Sequence, residues 1–318
     1  MSQSTSPRLT IVLVALVVFV VGAIMAAQAR VNGDLAVATG DPLAAASISF
    51  GSGLVILLVV ALAAPSSRRG FGKLAGAIRS GRMPWWYALS GLSGAVFVLT
   101  QSLTAAPLGV ALFTVSAVSG QILGGLIIDR VGLGSMTPKR ITMWRLIGAV
   151  LALFAVVLAV SDRLRTDVPL WMLVLPFAIG IMQGWQQAAN GQLREHAMSA
   201  VTAATVSFAV GMLALAVATG IHWAFEAPPT SFPSEWWLYT GGAMGAVFVT
   251  VTALIVRTLG VLLMGLCVVA GQLAGSLVLD LWLPAPGTVV HITTLLGTAL
   301  VFVAVLVATI RPRRRRAR

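Results

Sequence analysis

Long apolar runs, separated by short polar segments, dominate the chain. Ten of these runs have about 18–23 residues, close to the length that a helix needs to cross the hydrocarbon layer of a bilayer. They lie near 9–29, 42–64, 85–106, 108–128, 143–160, 170–190, 199–221, 236–256, 259–279 and 291–310. The pattern predicts an all-α integral membrane protein with ten transmembrane helices.

Two stretches of the sequence occur twice. Residues 85–129 align without a gap onto 236–280, an offset of 151, and 19 of these 45 positions are identical. Residues 22–53 align onto 180–211 at an offset of 158. The duplication predicts two five-helix repeats, 1–165 and 166–318. Because five is an odd number of spans, we expect the second repeat to be inverted in the membrane, an arrangement common in secondary transporters.

Composition excludes several classes of protein. The chain is 58% hydrophobic and 9% charged, with a mean hydropathy of +0.97, so it has too little charge to cover a soluble surface. Its one cysteine, Cys267, allows no internal disulfide, and its three histidines are scattered along the sequence. We find no catalytic constellation, no metal-ligand cluster and no nucleotide-binding loop. The sequence therefore predicts neither an enzyme nor a cofactor.

Basic residues predict the orientation of the chain. With the N-terminus in the cytoplasm, 18 of the 21 lysines and arginines fall on the cytoplasmic side, as the positive-inside rule requires. The exceptions are Arg30, Arg163 and Arg165. Both termini are thus predicted to be cytoplasmic. The basic tail 311–318 suits either nucleic acid or anionic lipid headgroups, and we expect headgroups because no soluble domain accompanies it. The sequence predicts no oligomeric state.

Short motifs mark the expected ends of the spans. The tryptophan pairs at 85–86 and 236–237 are typical of anchors at the membrane interface. Leu-Gly-Val at 108–110 and at 259–261 predicts a tight turn between two spans of each repeat. The segment 65–84 is predicted to be a basic loop.

Small residues four apart predict two sites of close helix packing, because they let helix backbones approach each other in lipid. The first site is Gly120 and Gly124, and its copy in the second repeat is Gly271 and Gly275. The carboxylates Asp129 and Asp280 follow these motifs at the ends of helices. We expect them to face headgroups or to cap neighbouring groups.

Amide side chains inside the apolar runs carry the functional prediction. A polar group in the hydrocarbon needs a hydrogen-bond partner or a water-filled cavity. Taken singly, each amide is explained by hydrogen bonding between helices. Because the same positions carry amides in both repeats, we predict a shared cavity between the repeats, lined by Gln28, Asn32, Gln121, Gln186, Asn190 and Gln272.

These motifs resemble a known family. The sequences MAAQARVNGDL, SFGSG, GLSGAVFV and SGQILGGLIID, each with a copy in the second half, resemble the YdcZ-like branch of the drug/metabolite transporter superfamily. The resemblance implies a five-plus-five helix fold in a bacterial cytoplasmic (inner) membrane and export of small metabolites or drugs. The copies are not identical, since Gly51-Ser52 becomes Ala209-Val210 and Pro107 becomes Thr258. We therefore expect an asymmetric cavity.

Two functions from different classes fit the sequence. The first is a secondary transporter that works by alternating access between the repeats, with the amides binding polar, zwitterionic or weakly cationic solutes. The second is a non-transporting membrane scaffold or partner subunit, in which the amides only hold helices together.

Overall fold

A computed structural model describes residues 7–132, 143–160, 169–284 and 292–308. All regular secondary structure in these ranges is helical. The ten α-helices are α1 (Pro7–Thr39), α2 (Pro42–Ala63), α3 (Pro65–Arg79), α4 (Ser90–Leu108), α5 (Val110–Val131), α6 (Met143–Val160), α7 (Trp171–Ala197), α8 (Ala200–Phe225), α9 (Gly241–Trp282) and α10 (Ile292–Ala308). Short 3-10 helices at Trp85–Leu89 and Trp236–Tyr239 precede α4 and α9. The Arg-rich tail, Arg163 and Arg165 lie outside the described residues.

Polarity is distributed as in a protein dissolved in lipid. Large apolar side chains cover the outside, for example Val59, Val157 and Leu213, which are each more than half exposed. Polar side chains lie inside, where Asn32 and Gln101 are completely buried. This arrangement is favourable in a bilayer, because the core of the bilayer cannot hydrogen-bond exposed polar groups.

Five of the described helices are long and apolar enough to cross a membrane: Val12–Thr39, Pro42–Ala63, Trp85–Leu108, Val110–Ile128 and Ala200–Phe225. The prediction of an all-helical protein with apolar spans is confirmed, whereas a count of ten spans is not confirmed within the described residues. Helix α7 is long enough, but its amides and Arg194 make it less apolar than the five spanning helices. Among the described residues, three further apolar helical segments have 10–17 residues: Leu146–Ala155, Cys267–Trp282 and Ile292–Ala304.

The segment predicted as a loop at 65–84 is largely helical, and that prediction is wrong. Helix α3 buries Ser67, Gly70, Leu74 and Ala77, a spacing that places them on one face. This face packs against the adjoining ends of α7 and α8, where Thr202 donates a hydrogen bond to the carbonyl of Ser67 at 2.9 Å. Its glycine-rich, basic composition concealed the amphipathic period.

Helix α1 continues ten residues beyond the predicted end of its span at 29. Its polar extension is held by ionic and hydrogen bonds. The guanidinium of Arg30 pairs with Asp34 at 2.7 Å and donates to the carbonyl oxygen of Leu283 at 2.8 Å. The extension therefore ties α1 to the end of α9.

The two predicted Leu-Gly-Val turns differ in the structure. Gly109 has a φ of 79°, which favours glycine, and separates α4 from α5. In the second half, α9 remains helical through the corresponding segment and has 42 residues. A straight helix of that length would span about 60 Å. Its two ends nevertheless reach the same part of α1, because Gly241 adjoins Asn32 and Leu283 adjoins Arg30. The chain therefore reverses direction within α9.

Reciprocal contacts relate the two halves. Phe50 of α2 stacks on its repeat counterpart Phe208 of α8, with ring centroids 4.7 Å apart. Gly53 lies against Phe208, and its counterpart Gly211 lies against Phe50. When residue i contacts j and the counterpart of j contacts the counterpart of i, the two parts are related by a two-fold axis. These contacts are the pattern expected of an approximate two-fold relation between α2 and α8.

Asp280 at the end of α9 caps the first turn of α5. Its buried carboxylate accepts hydrogen bonds from the backbone N–H of Val110 at 3.0 Å and of Ala111 at 2.7 Å. A carboxylate is favourable there because the N-terminus of a helix carries a partial positive charge. Of the two roles expected for Asp280, the structure gives it the capping role. The side chain of its counterpart, Asp129, lies outside the described residues.

Candidate functional site

Four glycines place the amide-bearing helices next to their partners. A methyl group built on Gly120 or Gly124 would collide with the backbone of α7 at Phe177 or Ile181. The second repeat has the same arrangement, in which Gly271 and Gly275 lie against the backbone of α1 at 19–23. Small residues thus let α5 approach α7, and α9 approach α1, to backbone contact.

The amides of α1 lie inside the molecule. Gln28 and Asn32 are 3% and 0% exposed. The Nε2 atom of Gln28 lies beside Gly245, 2.9 Å from the position of a built methyl group. Asn32 donates a hydrogen bond from Nδ2 to Oε1 of Gln101 on α4, at 2.8 Å.

The amides of α7 occupy the corresponding places in the other half. The Nε2 atom of Gln186 lies beside Gly94, 2.7 Å from the position of a built methyl group. Asn190 is half-buried and accepts a hydrogen bond at its Oδ1 from the hydroxyl of Ser90, at 2.8 Å. In each half, a Gln of a long helix therefore lies against a glycine on the glycine-rich helix of the other half.

A small cavity lies between α1, α4, α5 and α9. Its volume is about 10 Å³, roughly the space of one water molecule. The lining is Met25, Ala26, Phe97, Gln101, Phe113, Thr114, Ala117, Val118 and Gln272. Two amides on an otherwise mostly apolar wall are typical of a site for a small, partly polar molecule.

The structure brings some of the predicted cavity residues together and separates others. Gln272 lines the cavity and is 6% exposed. Gln28 and Asn32 are on neighbouring turns of α1, and Asn32 is bonded to the cavity residue Gln101. Gln121, the counterpart of Gln272, is half-buried outside the cavity lining. Gln186 and Asn190 belong to the matching region of the other half.

Gln101 was missed by the sequence analysis. It is completely buried on α4 and bonded to Asn32, but its counterpart in the second repeat is Thr252. A search for amides that occur twice could not find it. The available signal was an amide in the middle of an apolar run, which is costly unless it has a partner.

Within the described part of the chain, eight buried side-chain polar atoms, two of them on cavity-lining residues, have no hydrogen-bond partner. They are Oε1 of Gln28, Oδ1 of Asn32, Nε2 of Gln101, Oε1 of Gln272 and the hydroxyls of Ser49, Ser93, Ser102 and Ser116. An unsatisfied buried polar group costs about 1–3 kcal/mol. A polar solute or water that supplies the missing bonds would recover this free energy.

Charge is absent from the cavity wall. None of the lining residues carries an ionisable side chain. Across residues 7–132, 143–160, 169–284 and 292–308, no group of three or more His, Cys, Asp or Glu is arranged to hold a metal ion. The chemistry available in the described site is hydrogen bonding and apolar contact.

Comparison with known proteins identifies the family. The sequence profile described as "Putative inner membrane exporter, YdcZ" matches residues 13–158 and 171–307, which is most of the chain. The chain belongs to the YdcZ family of the drug/metabolite transporter type. The family resemblance of the sequence motifs is thereby confirmed. The chain is a multi-pass inner-membrane protein, and its family is an exporter family rather than an enzyme family.

Known structures contribute the fold alone. One crystal structure is similar to this chain with a TM-score of 0.60 and 19% sequence identity, and the match covers 96% of this YdcZ-family chain and 99% of that chain. No curated protein matches the sequence.

Proposed function

We propose that this protein is a secondary exporter of small polar metabolites or drugs that works by alternating access between two inverted five-helix repeats. The proposed repeats are 1–165 and 166–318, and both termini are cytoplasmic. The proposed solute site is the amide cluster around the cavity between α1, α4, α5 and α9.

One observation carries this proposal: unpaired buried amides lie where two reciprocally packed halves meet. Transporter sites are found between internal repeats near the bilayer midplane. The match of the family profile to one segment in each half, 13–158 and 171–307, supports the duplication. The reversal of the chain within α9 gives its two ends the course of two antiparallel spans, which supports a count of five spans in the second half.

The size of the cavity supports a mechanism with more than one conformation. About 10 Å³ is too small for a metabolite, since small-molecule sites usually have roughly 300–1,000 Å³. A solute can bind only when the helices around the cavity separate. Rocking of the halves about their two-fold axis would open the cavity first to one side of the membrane and then to the other.

Metabolite profiling of cells and medium tests the proposed function. We compare a deletion strain with strains that produce the wild-type chain or an Asn32→Leu chain at equal amounts in the membrane. An exporter lowers the ratio of inside to outside concentration of at least one solute, and Asn32→Leu reduces that change. If production of the chain alters no solute ratio, the scaffold or partner-subunit function replaces the exporter.

A further inference from the structure

Among the described residues, the fully buried polar atoms without a partner are concentrated in one of the two halves. Seven of the eight belong to residues of the first repeat, and the eighth is Oε1 of Gln272. In the second repeat, Oδ1 of Asn190 accepts a hydrogen bond from the hydroxyl of Ser90. The counterpart of Ser90 is Gly241, which has no hydroxyl, so Oδ1 of Asn32 has no equivalent donor. A single Ser-to-Gly difference thus leaves the carbonyl of one asparagine without a hydrogen-bond donor.

Gln101 enlarges this asymmetry. Its Oε1 accepts a hydrogen bond from Asn32 at 2.8 Å, while its Nε2 has no partner among the described residues. Thr252, the counterpart of Gln101, donates instead to the carbonyl of Phe248 in its own helix at 2.7 Å. Position 101 therefore provides a free donor, whereas position 252 provides none.

The open hydrogen-bonding groups define a complementary ligand. Among the fully buried atoms of the four amides, those without a partner in the described structure are one N–H donor, at Gln101, and three carbonyl acceptors, at Gln28, Asn32 and Gln272. A ligand with one acceptor beside two or three N–H donors satisfies this set. A carboxamide or urea group has that composition. The apolar side chains of Met25, Phe97 and Phe113 on the same cavity suit a compact hydrocarbon group.

Charge balance argues for an uncharged ligand. The nearest charged groups on α1, Arg30 and Asp34, are paired with each other. Asp280 is occupied by the N-terminus of α5. A charged solute would therefore meet no opposite charge in the described cavity, and burial of an unpaired charge is far more costly than burial of a hydrogen-bonded neutral group.

We propose that Gln28, Asn32, Gln101 and Gln272 form a binding site for the carboxamide- or urea-type group of a small uncharged solute. This assignment rests on the proposed exporter function for its physiological meaning, but the site itself is tested by binding. In the second half, the carbonyl of Asn190 and the hydroxyl of Thr252 already have hydrogen-bond partners within the protein. The solute site is therefore asymmetric and is built mainly from the first repeat.

Three probes with the same branched carbon skeleton test this site: isobutyramide, isobutylamine and isobutyrate. They differ mainly in the neutral, cationic or anionic polar group. Binding to the detergent-purified full-length chain is measured by the increase in thermal unfolding temperature, because a ligand that binds the folded state stabilises it. We expect millimolar isobutyramide to stabilise the wild-type chain and isobutyrate to have no effect.

Two variants and one control localise the binding. Gln101→Leu removes the free donor and Gln272→Leu removes one free acceptor, so each should weaken isobutyramide binding by roughly five- to 150-fold. Thr252→Val changes the position equivalent to 101 and should bind as the wild type does. If Gln101→Leu does not fold, the comparison of Gln272→Leu with Thr252→Val remains decisive.

The possible outcomes separate this site from the exporter function. Preferential stabilisation by isobutylamine or isobutyrate overturns the assigned ligand class, as does equal binding by wild-type, Gln101→Leu and Gln272→Leu chains. Uptake of labelled isobutyramide into proteoliposomes is then measured separately. Binding that depends on Gln101, together with no isobutyramide flux and no changed solute ratio in the metabolite profiles, would retain the site and overturn the exporter. Flux that is unchanged by Gln101→Leu and Gln272→Leu would retain the exporter and overturn the site.

Discussion

Gln272 shows how a buried amide that lines a cavity can lower the stability of the protein. Its Oε1 is buried without a partner in the described structure, at a cost of about 1–3 kcal/mol. Hydrogen bonds between membrane helices contribute only about 0.6 kcal/mol each. The cost of the unpaired oxygen thus exceeds what the remaining amide N–H groups are expected to contribute.

We expect Gln272→Leu to raise the thermal unfolding temperature of the purified chain while it lowers transport. The substitution removes an unsatisfied buried carbonyl, which should raise the free energy of unfolding by about 1–3 kcal/mol. The leucine side chain also adds apolar contact. Gln121→Leu is the matched control, because Gln121 is the counterpart outside the cavity lining, and it should change transport much less. Equal effects of the two substitutions on both measurements would contradict the asymmetric cavity.

Cys267 reports on the packing between α9 and α1. It is partly buried and lies in an apolar cluster with Val18 and Val268. We expect slow reaction with a charged, impermeant maleimide in the folded protein and complete reaction after denaturation in detergent. The exposed control is Phe225→Cys in a Cys267→Ser chain, since Phe225 is 87% exposed. Equally rapid labelling of Cys267 and the control would place this face of α9 on an open aqueous path.

At the scale of residues, repetition in the sequence was a useful but incomplete guide. It predicted Gln28, Asn32 and Gln272 because each has an amide counterpart. It could not predict Gln101, whose importance arises from the difference between the repeats. It also could not predict that Ser90 satisfies one asparagine while Gly241 leaves the other open, because such pairing depends on three-dimensional contact.

At the scale of helices, adjacent glycines make a sharp test of close packing. A methyl group on Gly124 would meet the backbone of Ile181, with Cα at 2.8 Å, whereas a methyl group on Gly125 would meet nothing within 4 Å. Gly124→Ala should destabilise the protein by about 1–3 kcal/mol through overpacking. Gly125→Ala should stabilise it by about 0.5–1 kcal/mol, because glycine is unfavourable inside a helix. Thermal unfolding in detergent measures both, and effects of the same sign would refute the contact between α5 and α7.

The cap formed by Asp280 gives a second test at this scale. Asp280→Ala removes two backbone hydrogen bonds at the start of α5 and should cost about 0.5–2 kcal/mol in the free energy of unfolding. Glu235→Ala is the control, because Glu235 is an exposed carboxylate that precedes the 3-10 helix Trp236–Tyr239 and its side chain makes no capping hydrogen bond. If the two variants have the same unfolding temperature, the cap contributes nothing to stability.

Helix ends were predicted less well than helices. The apolar period of α2 predicted its range to within a residue. The extension of α1 was missed because the Arg30–Asp34 pair and the bond to Leu283 keep a polar segment helical. Helix α3 was missed because its buried face includes Ser67 and Gly70, which become core residues only through contact with α8.

At the scale of the molecule, the two-fold relation and the charge bias constrain different properties. Reciprocal contacts such as Phe50 with Phe208 describe how the halves pack, but they do not show how the halves are oriented in the membrane. The orientation is predicted by the basic residues, because 18 of 21 fall on one predicted side, which the positive-inside rule makes the cytoplasmic side. Together they predict a two-fold axis in the membrane plane, which requires equivalent positions to lie on opposite sides.

Ser80 and Ser231 provide the decisive pair of equivalent positions. They are separated by the repeat offset of 151 residues, and both are exposed. We expect Ser231→Cys, in a full-length Cys267→Ser chain, to react with an impermeant maleimide in spheroplasts. Ser80→Cys should react only in inside-out vesicles. Because α3 and the basic residues beside Ser80 would then face the anionic cytoplasmic leaflet, this result fits the proposed orientation. Reaction of both cysteines from the same side would rule out the inversion, and alternating access between inverted repeats would be lost with it.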